Sequence, residues 1–181
     1  KKEFNNENTE DELKKRNKYL APSFSLSYDE PLFIKRGEGQ YLFDHEGNKY
    51  LDAINNISHV GHCHPKVVEA AYQQSKLLNT NTRYLHESIL DYASNLNDKL
   101  PEKLTTCFFT NSGSESNDLV LRIARLYNNS KESIVMSGAY HGHTNSLIDI
   151  SPYKFFGSGG GGKKDFVHVV PMPDEFAGEH L

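Results

Sequence analysis

The sequence is poor in the residues that mark secreted or membrane-spanning proteins. Only two cysteines, Cys63 and Cys107, occur among 181 residues, and there is no tryptophan. Two cysteines are too few for a disulfide framework and fit a reducing compartment, so we expect a cytoplasmic protein. The amino terminus is polar, and no apolar run approaches the roughly 20 residues that a bilayer requires. We therefore predict neither a signal peptide nor a transmembrane helix.

An excess of positive charge is also missing. The chain has 20 basic and 24 acidic residues, which gives a formal net charge of -4. Proteins that bind nucleic acid or an anionic membrane surface concentrate Lys and Arg, and this balance gives no sign of such a surface. The composition thus argues against nucleic acid and membrane as partners and leaves a small molecule or another protein chain.

The first third of the chain predicts a short helix or linker followed by a small sheet. Residues 5–19 are highly charged and weakly periodic, which is typical of an exposed helix or of a partly ordered linker. Between residues 31 and 54, three short apolar stretches alternate with turns rich in Gly, Asp and Asn. This alternation predicts a three-stranded antiparallel meander.

Beyond residue 64 the pattern changes to helices and then to an alternation of strands and helices. Pro65 suits the first position of a helix, and Pro101 ends the run of a second one. Three strands are predicted, at residues 105–110, 133–136 and 166–170, with a helix at residues 113–127. The alternation indicates an α/β fold with a parallel-dominated sheet, while the glycine run at residues 157–162 predicts a mobile loop.

A Ser-Gly-Ser turn at residues 112–114 is the strongest candidate for a binding site. It follows a predicted strand and begins a predicted helix, so its N–H groups lie at the positive end of a helix dipole beside two hydroxyls. A capping box between Ser112 and Glu115 is the competing interpretation. That box does not explain Gly113, because glycine costs about 1 kcal/mol in a helix unless something must approach the backbone closely. On the residues alone, both interpretations stay open.

A second turn, residues 138–144, follows the next predicted strand. Because the carboxyl ends of parallel strands meet at one edge of a sheet, we expect it to neighbour the first turn. Tyr140 offers a flat face to a planar heterocycle, and the glycines on either side leave room for it. Simple packing of the ring is the competing interpretation.

These motifs resemble the N-terminal half of class III aminotransferases, which are fold-type I enzymes that use pyridoxal 5'-phosphate. The resemblance lies in residues 110–118 and 139–144, continues upstream in residues 47–52 and 61–65, and covers about residues 31–173. It implies that Gly113 and Ser114 contact the cofactor phosphate and that Tyr140 stacks on the pyridine ring. It leaves Glu115 with a structural role, and it implies a homodimer with shared active sites.

The resemblance also implies a domain organisation. Residues 1–30 would be an N-terminal helical or extended segment, and residues 31–60 the meander of the small domain. Residues 61–181 would be the first part of the large, cofactor-binding domain, with a partial parallel-dominated sheet. We expect the chain to be part of a longer protein.

Within the family, three loops look closest to one branch. Residues 55–65, 78–86 and 150–155 resemble the ethanolamine-phosphate and phosphohydroxylysine phospho-lyases and their alanine-glyoxylate aminotransferase-like relatives. The resemblance implies action on a primary amine, either by transamination or by elimination with release of phosphate and ammonia. It makes Arg83 and Asn56 candidate contacts of the substrate.

The chain departs from the family pattern in one important respect. The lysine that forms the Schiff base and the aspartate that pairs with the pyridine nitrogen have no matching position here, so no catalytic residue is assigned. Lys163 and Lys164 stand in the wrong context for that lysine. We expect this chain alone to be inactive, and the alternative function is that of a dimerisation or binding module.

Two rival motifs are weaker. Residues 157–163 fit the opening of a nucleotide-binding loop, but Lys164 replaces the required Ser or Thr and the segment that follows alternates as a strand. A zinc site would draw on a group of loop residues whose spacing does not give two separated ligand pairs, so no metal is predicted. That group comprises His59, His62, Cys63 and His64, with His141 and His143 as further candidates.

Overall fold

The computed structural model describes residues 9–54 and 59–176. It divides into two compact units, Lys1–Leu85 and His86–Leu181, and each has a sheet of its own. Among the described residues, every helix is too short or too polar to span a bilayer. The chain's contacts thus divide after Leu85, while the domain boundary expected at residue 61 stays a prediction.

The first unit opens with helix α1, Thr9–Tyr19. Its first turn is acidic and its last turn is basic, the arrangement that the helix dipole favours. No residue of α1 is buried, but Arg16 donates a hydrogen bond of 2.7 Å to the Phe24 carbonyl and so ties the helix to the chain that follows. The helical interpretation of residues 5–19 is therefore confirmed from Thr9 onward.

The predicted meander is also present. It consists of strands β1 (Ile34–Glu38), β2 (Tyr41–Asp44) and β3 (Lys49–Leu51), which pair antiparallel in the order β1-β2-β3. The two connecting turns contain Gly39 and Gly47, with φ of 54° and 89°. Glycine adopts this backbone region at little cost, so these two residues let the turns form.

The turn between β2 and β3 is organised around the Asp44 carboxylate. It accepts hydrogen bonds from the backbone N–H groups of Glu46 and Asn48, from the Asn48 amide and from the Tyr50 hydroxyl, all within 2.8–2.9 Å. Burial by itself raises the pKa of Asp44, but these hydrogen bonds outweigh it and lower that pKa to about 2. The hydrogen bond between Tyr50 and Asp44 also raises the pKa of the Tyr50 hydroxyl.

The segment before the next helix is fastened to the meander at His62. Its Nε2 lies 2.6 Å from Asp52 Oδ2, and its backbone pairs with that of Gly39. A Cβ added to Gly37 would lie 2.8 Å from the His62 Cβ, so glycine allows the imidazole to pack on β1. Helix α2, Pro65–Leu77, then begins at the proline that the sequence marks as its first residue.

The second unit has the alternating organisation of an α/β fold. Helix α3 (Glu87–Asn97) ends before Pro101, as the sequence predicts. Strands β4 (Ser133–Met136) and β5 (Val167–Val170) pair in parallel, which confirms the predicted strands at residues 133–136 and 166–170 and the α/β class. The elements of this unit are α3 (Glu87–Asn97), α4 (Gly113–Asn128), β4 (Ser133–Met136), α5 (Asn145–Asp149), α6 (Pro152–Phe155) and β5 (Val167–Val170).

A small apolar core lies between this sheet and the two short helices. Val135 and Val167 come from the paired strands, and Leu147 and Phe155 come from α5 and α6. Ile150, at the end of α5, completes the buried cluster. Burial of these side chains fixes α5 and α6 against the carboxyl half of β4, where the candidate site begins.

The strand predicted at residues 105–110 is wrong. The segment forms no ladder with any described strand, and Phe108 and Phe109 are exposed. A strand exists only where a neighbour supplies hydrogen bonds for its backbone, and an apolar pattern cannot reveal whether that neighbour is present. What the sequence did predict correctly is the position of α4, which starts at Gly113 directly after this segment.

Candidate functional site

The side chains of Ser112 and Glu115 cap the start of α4 by accepting hydrogen bonds from backbone N–H groups. The Ser112 hydroxyl accepts a hydrogen bond of 3.1 Å from the Glu115 N–H, which is the first half of the predicted capping box. The second half differs, because the Glu115 carboxylate accepts from the N–H and the side-chain amide of Asn111, at 2.7 and 3.1 Å. Glu115 therefore stabilises the turn one residue earlier than the box predicts, in keeping with a structural role.

Two backbone N–H donors in the first turn of α4 are unpaired within the described residues. Among the described residues, the backbone N–H groups of Gly113 and Ser114 have no acceptor, whereas those of Glu115 and Ser116 bond to the Ser112 side chain and carbonyl. A Cβ added to Gly113 would meet no atom within 4 Å. Open space beside two free donors at the positive end of a 16-residue helix fits an anion of the size of a phosphate.

The second turn packs directly on this helix start, so the two predicted turns are neighbours. The Ser114 hydroxyl accepts a hydrogen bond of 3.3 Å from the His143 N–H. Gly142 lies against Ser114 with φ of 137°, and a Cβ there would be 2.5 Å from Leu147 Cδ1 and 2.7 Å from Ser114 Oγ. Only glycine fits this contact, because both the backbone conformation and the space exclude a side chain.

Two further side chains hold the backbone of His141 in place. The Asn117 amide donates a hydrogen bond of 2.8 Å to the His141 carbonyl, and the Ser151 hydroxyl accepts one of 3.0 Å from the His141 N–H. Ser151 is fully buried and donates in turn to the Leu147 carbonyl at 2.6 Å. Sequence reasoning missed both roles. Asn117 stands one helical turn after Gly113 on the same face, which is a usable signal, whereas nothing local marks Ser151.

Tyr140 presents a partly open ring at the edge of this loop. The residue is 51% exposed, and its ring meets that of Tyr153 edge to face, with centroids 6.2 Å apart. The Tyr153 N–H bonds to the Ala139 carbonyl at 3.1 Å, which fixes the backbone beside the ring. The ring therefore has a free surface and a fixed base, both of which the predicted stacking on a planar heterocycle needs.

Two buried polar atoms of the same loop are unsatisfied. Within the described part of the chain, His141 Nε2 and Thr144 Oγ1 are buried and have no hydrogen-bond partner. Leaving a buried polar group unpaired costs about 1–3 kcal/mol. A polar partner at either atom would remove this cost.

The two candidate substrate contacts, Arg83 and Asn56, stay predictions. Arg83 belongs to the first unit, where its N–H and its Nε both donate to Asn81 Oδ1 at 3.1 Å. Its terminal guanidinium nitrogens have no acceptor among the described residues. Asn56 lies outside the described residues.

The rival motifs behave as connecting structure. The glycine run leads into strand β5 rather than into a helix, as the sequence argument against a nucleotide-binding loop requires. Within residues 9–54 and 59–176, no group of three or more His, Cys, Asp or Glu side chains is arranged to hold a metal ion. His62 is instead paired with Asp52, and His64 occupies the N-cap position of α2 without a side-chain capping bond.

Comparison with known proteins gives the same family as the motifs. The family described as aminotransferase class-III matches residues 24–179. An alanine–glyoxylate aminotransferase 2-like protein of Drosophila melanogaster is 49% identical over 168 residues, which are 92% of this chain and 34% of that protein. Ethanolamine-phosphate phospho-lyase homolog 1 of Caenorhabditis elegans is 44% identical over 172 residues, 94% of this chain and 37% of that protein.

A solved structure is also similar to this chain. A phospholyase from Arthrobacter, in complex with phosphoethanolamine, superposes with a TM-score of 0.82 at 38% identity. The match covers 90% of this chain and 38% of the other. The chain thus spans about a third of the length of the curated relatives it matches.

Proposed function

The chain belongs to the class III aminotransferase family, and on this basis we propose that it supplies the cofactor-phosphate wall of an enzyme that uses pyridoxal phosphate. The observation that carries the proposal is the pair of N–H groups of Gly113 and Ser114, which have no acceptor among the described residues and adjoin open space. In this proposal both groups donate to the cofactor phosphate. Each such charge-assisted hydrogen bond contributes about 1.5–3 kcal/mol to binding.

The loop that carries Tyr140 would hold the ring of the cofactor. Gly142 and His143 rest on Ser114, and Asn117 and Ser151 clamp His141, so the tyrosine next to it has little freedom to move. A fixed aromatic face orients a planar heterocycle and shields it from water on one side. When bound, pyridoxal phosphate supplies an electron sink that stabilises negative charge at the carbon beside the substrate amine.

We propose that the reaction is elimination of phosphate from a phosphorylated primary amine. Two of the three relatives described above are a phospho-lyase and a homologue of one, and the Arthrobacter structure holds phosphoethanolamine. The net reaction on such an amine takes up water and releases phosphate, ammonia and an aldehyde. Transamination by the same scaffold is the alternative, in which the amino group passes to a keto-acid acceptor and no phosphate is released.

Arg83 and Asn56 complete the proposal as contacts of the substrate. The end of the Arg83 guanidinium, which has no acceptor among the described residues, suits a phosphate or carboxylate because its planar donors match two oxygen atoms at once. We propose further that the whole protein is a cytoplasmic homodimer with shared active sites, an assembly that the family resemblance supports. Gel filtration with light scattering tests the homodimer.

The experiment uses the full-length protein incubated with pyridoxal phosphate. We expect a visible absorption band from the bound cofactor, and phosphate release from phosphoethanolamine without formation of a keto acid. A colourless protein after removal of free cofactor contradicts the enzyme and favours the binding module. A coloured protein that forms a keto acid from amino donors, and releases no phosphate, leaves the cofactor site intact but replaces elimination by transamination.

A further inference from the structure

Helix α6 carries one lysine whose charge the described structure does not neutralise. The next two lysines in the chain, Lys163 and Lys164, have oxygen partners. Lys163 donates to the Val167 carbonyl at 2.9 Å, and Lys164 lies 3.7 Å from the Asp149 carboxylate. Lys154, in contrast, has neither a carboxylate nor a hydrogen-bond acceptor among the described residues.

The Lys154 ammonium lies instead over two aromatic rings. Its Nζ is 5.5 Å from the centroid of Tyr140 and 5.3 Å from that of Tyr153. Both distances lie within the roughly 6 Å range of a cation–π interaction, which holds the ammonium in place without cancelling its charge. The donors of this ammonium therefore remain available, beside the ring on which the cofactor is proposed to stack.

The backbone that carries Lys154 is fixed on three sides. Pro152 and Phe155 are buried in the core, and the Tyr153 N–H bonds to the Ala139 carbonyl. The glycine run then folds back on the end of α6, so that a Cβ on Gly160 would lie 2.4 Å from the Phe155 carbonyl and 2.5 Å from that of Lys154. The glycine run thus packs its backbone against the end of α6, and its mobility stays a prediction.

We propose that Lys154 is a specificity residue that binds the phosphate of the phosphorylated amine substrate. This inference rests on the proposed function, because it takes Tyr140 as the ring beside the cofactor. A substrate attached through its amine would place its phosphate near that ring, and the exposed Lys154 ammonium, with its donors free, suits a phosphate dianion. A neutral amine without phosphate gains nothing from the same contact.

The test compares four full-length proteins loaded with pyridoxal phosphate: wild type, Lys154→Gln, Lys154→Arg and Lys131→Gln. Lys131 precedes the opposite, amino-terminal end of β4 and serves as the matched control. We expect Lys154→Gln to raise the KM for phosphoethanolamine by about tenfold to a hundredfold, the loss of one charge-assisted hydrogen bond. Lys154→Arg should restore most of the affinity, and Lys131→Gln should match wild type.

A second readout does not depend on turnover. Because cofactor phosphate fills the cradle of the loaded protein, calorimetry with inorganic phosphate reports the substrate-phosphate site, and we expect weaker binding in Lys154→Gln alone. An unchanged KM and an unchanged phosphate affinity overturn the proposal. The proposal is also overturned if Lys154→Gln loses as much affinity for the cofactor, measured from the visible band, as for phosphoethanolamine. Lys154 would then hold Tyr140 in place or bind the cofactor phosphate. A wild-type protein that takes up no cofactor refutes the proposed function itself, before any variant is compared.

Discussion

Gly142 and Ser114 lie so close together that the space for a side chain at residue 142 is already filled. A Cβ on Gly142 would be 2.7 Å from the Ser114 hydroxyl oxygen and 3.1 Å from the Ser114 Cα. The second of these atoms belongs to the backbone and cannot swing aside. The loop of Tyr140 is therefore set by direct contact with the helix start that is proposed to hold the cofactor phosphate.

Gly142→Ala should separate these two turns. We expect a loss of stability of about 1–3 kcal/mol from overpacking, and a loss of cofactor affinity of at least about tenfold because the loop is displaced. Thermal denaturation and titration of the visible band in the full-length protein measure the two effects. Gly159→Ala is the matched control, since Gly159 also has a positive φ, 75°, but has open space around it. Equal cofactor affinity in the two variants would contradict the packing argument.

At Gly113, substitution should affect stability and cofactor affinity in opposite directions. A Cβ there meets nothing within 4 Å, and alanine favours a helix over glycine by up to about 1 kcal/mol. Gly113→Ala should therefore leave the unfolding free energy unchanged or slightly raised, while it weakens cofactor binding by crowding the approach to the N–H groups. Gly113→Val should weaken binding further. Cofactor titration beside urea denaturation separates the two, and unimpaired binding in both variants removes Gly113 from the site.

Much of this fold follows from local patterns. The meander, α4 and the parallel pair β4 and β5 were predictable because turn glycines, helix periodicity and apolar alternation act over a few residues. The failure at residues 105–110 has the opposite origin, because pairing depends on a neighbour that is distant in the chain. Contact with such a neighbour leaves no mark in the segment itself.

The candidate site also combines features that local sequence predicts with features that depend on residues distant in the chain. The helix start at Gly113 and Ser114 was predictable from the turn that begins α4, whereas the support of His141 by Asn117 and Ser151 bridges 24 and 10 residues. Ser151 looked like an ordinary serine before a proline, and only the fold makes it a buried acceptor. The contact of the glycine run with the end of α6 could not be predicted either, because composition does not reveal where a loop packs.

Ser151→Ala should destabilise the second unit by about 1–3 kcal/mol. The change leaves the His141 N–H without its acceptor and removes a hydrogen bond to the Leu147 carbonyl in a fully buried place. We expect a lower melting temperature and a weaker visible band at limiting cofactor. Ser158→Ala, at an exposed serine, should leave both at the wild-type level. An unchanged melting temperature for Ser151→Ala would show that the clamp on His141 contributes nothing.

The Asp44 turn predicts a pH dependence of stability in the first unit. The pKa of Asp44 is lowered from 3.8 to about 2, below its value in the unfolded chain, so its carboxylate stabilises the fold above about pH 4. That contribution is lost as the pH falls from about 4 through about 2, where the folded state is finally protonated. Asp44→Asn should therefore unfold at lower temperature than wild type near neutral pH, and the difference should shrink steadily below pH 4. Thermal denaturation from pH 7 to pH 2 measures this, with Asp165→Asn, at an exposed carboxylate, as the control. A difference that stays constant down to pH 2 would mean that Asp44→Asn acts by disturbing the turn and not by removing the charge.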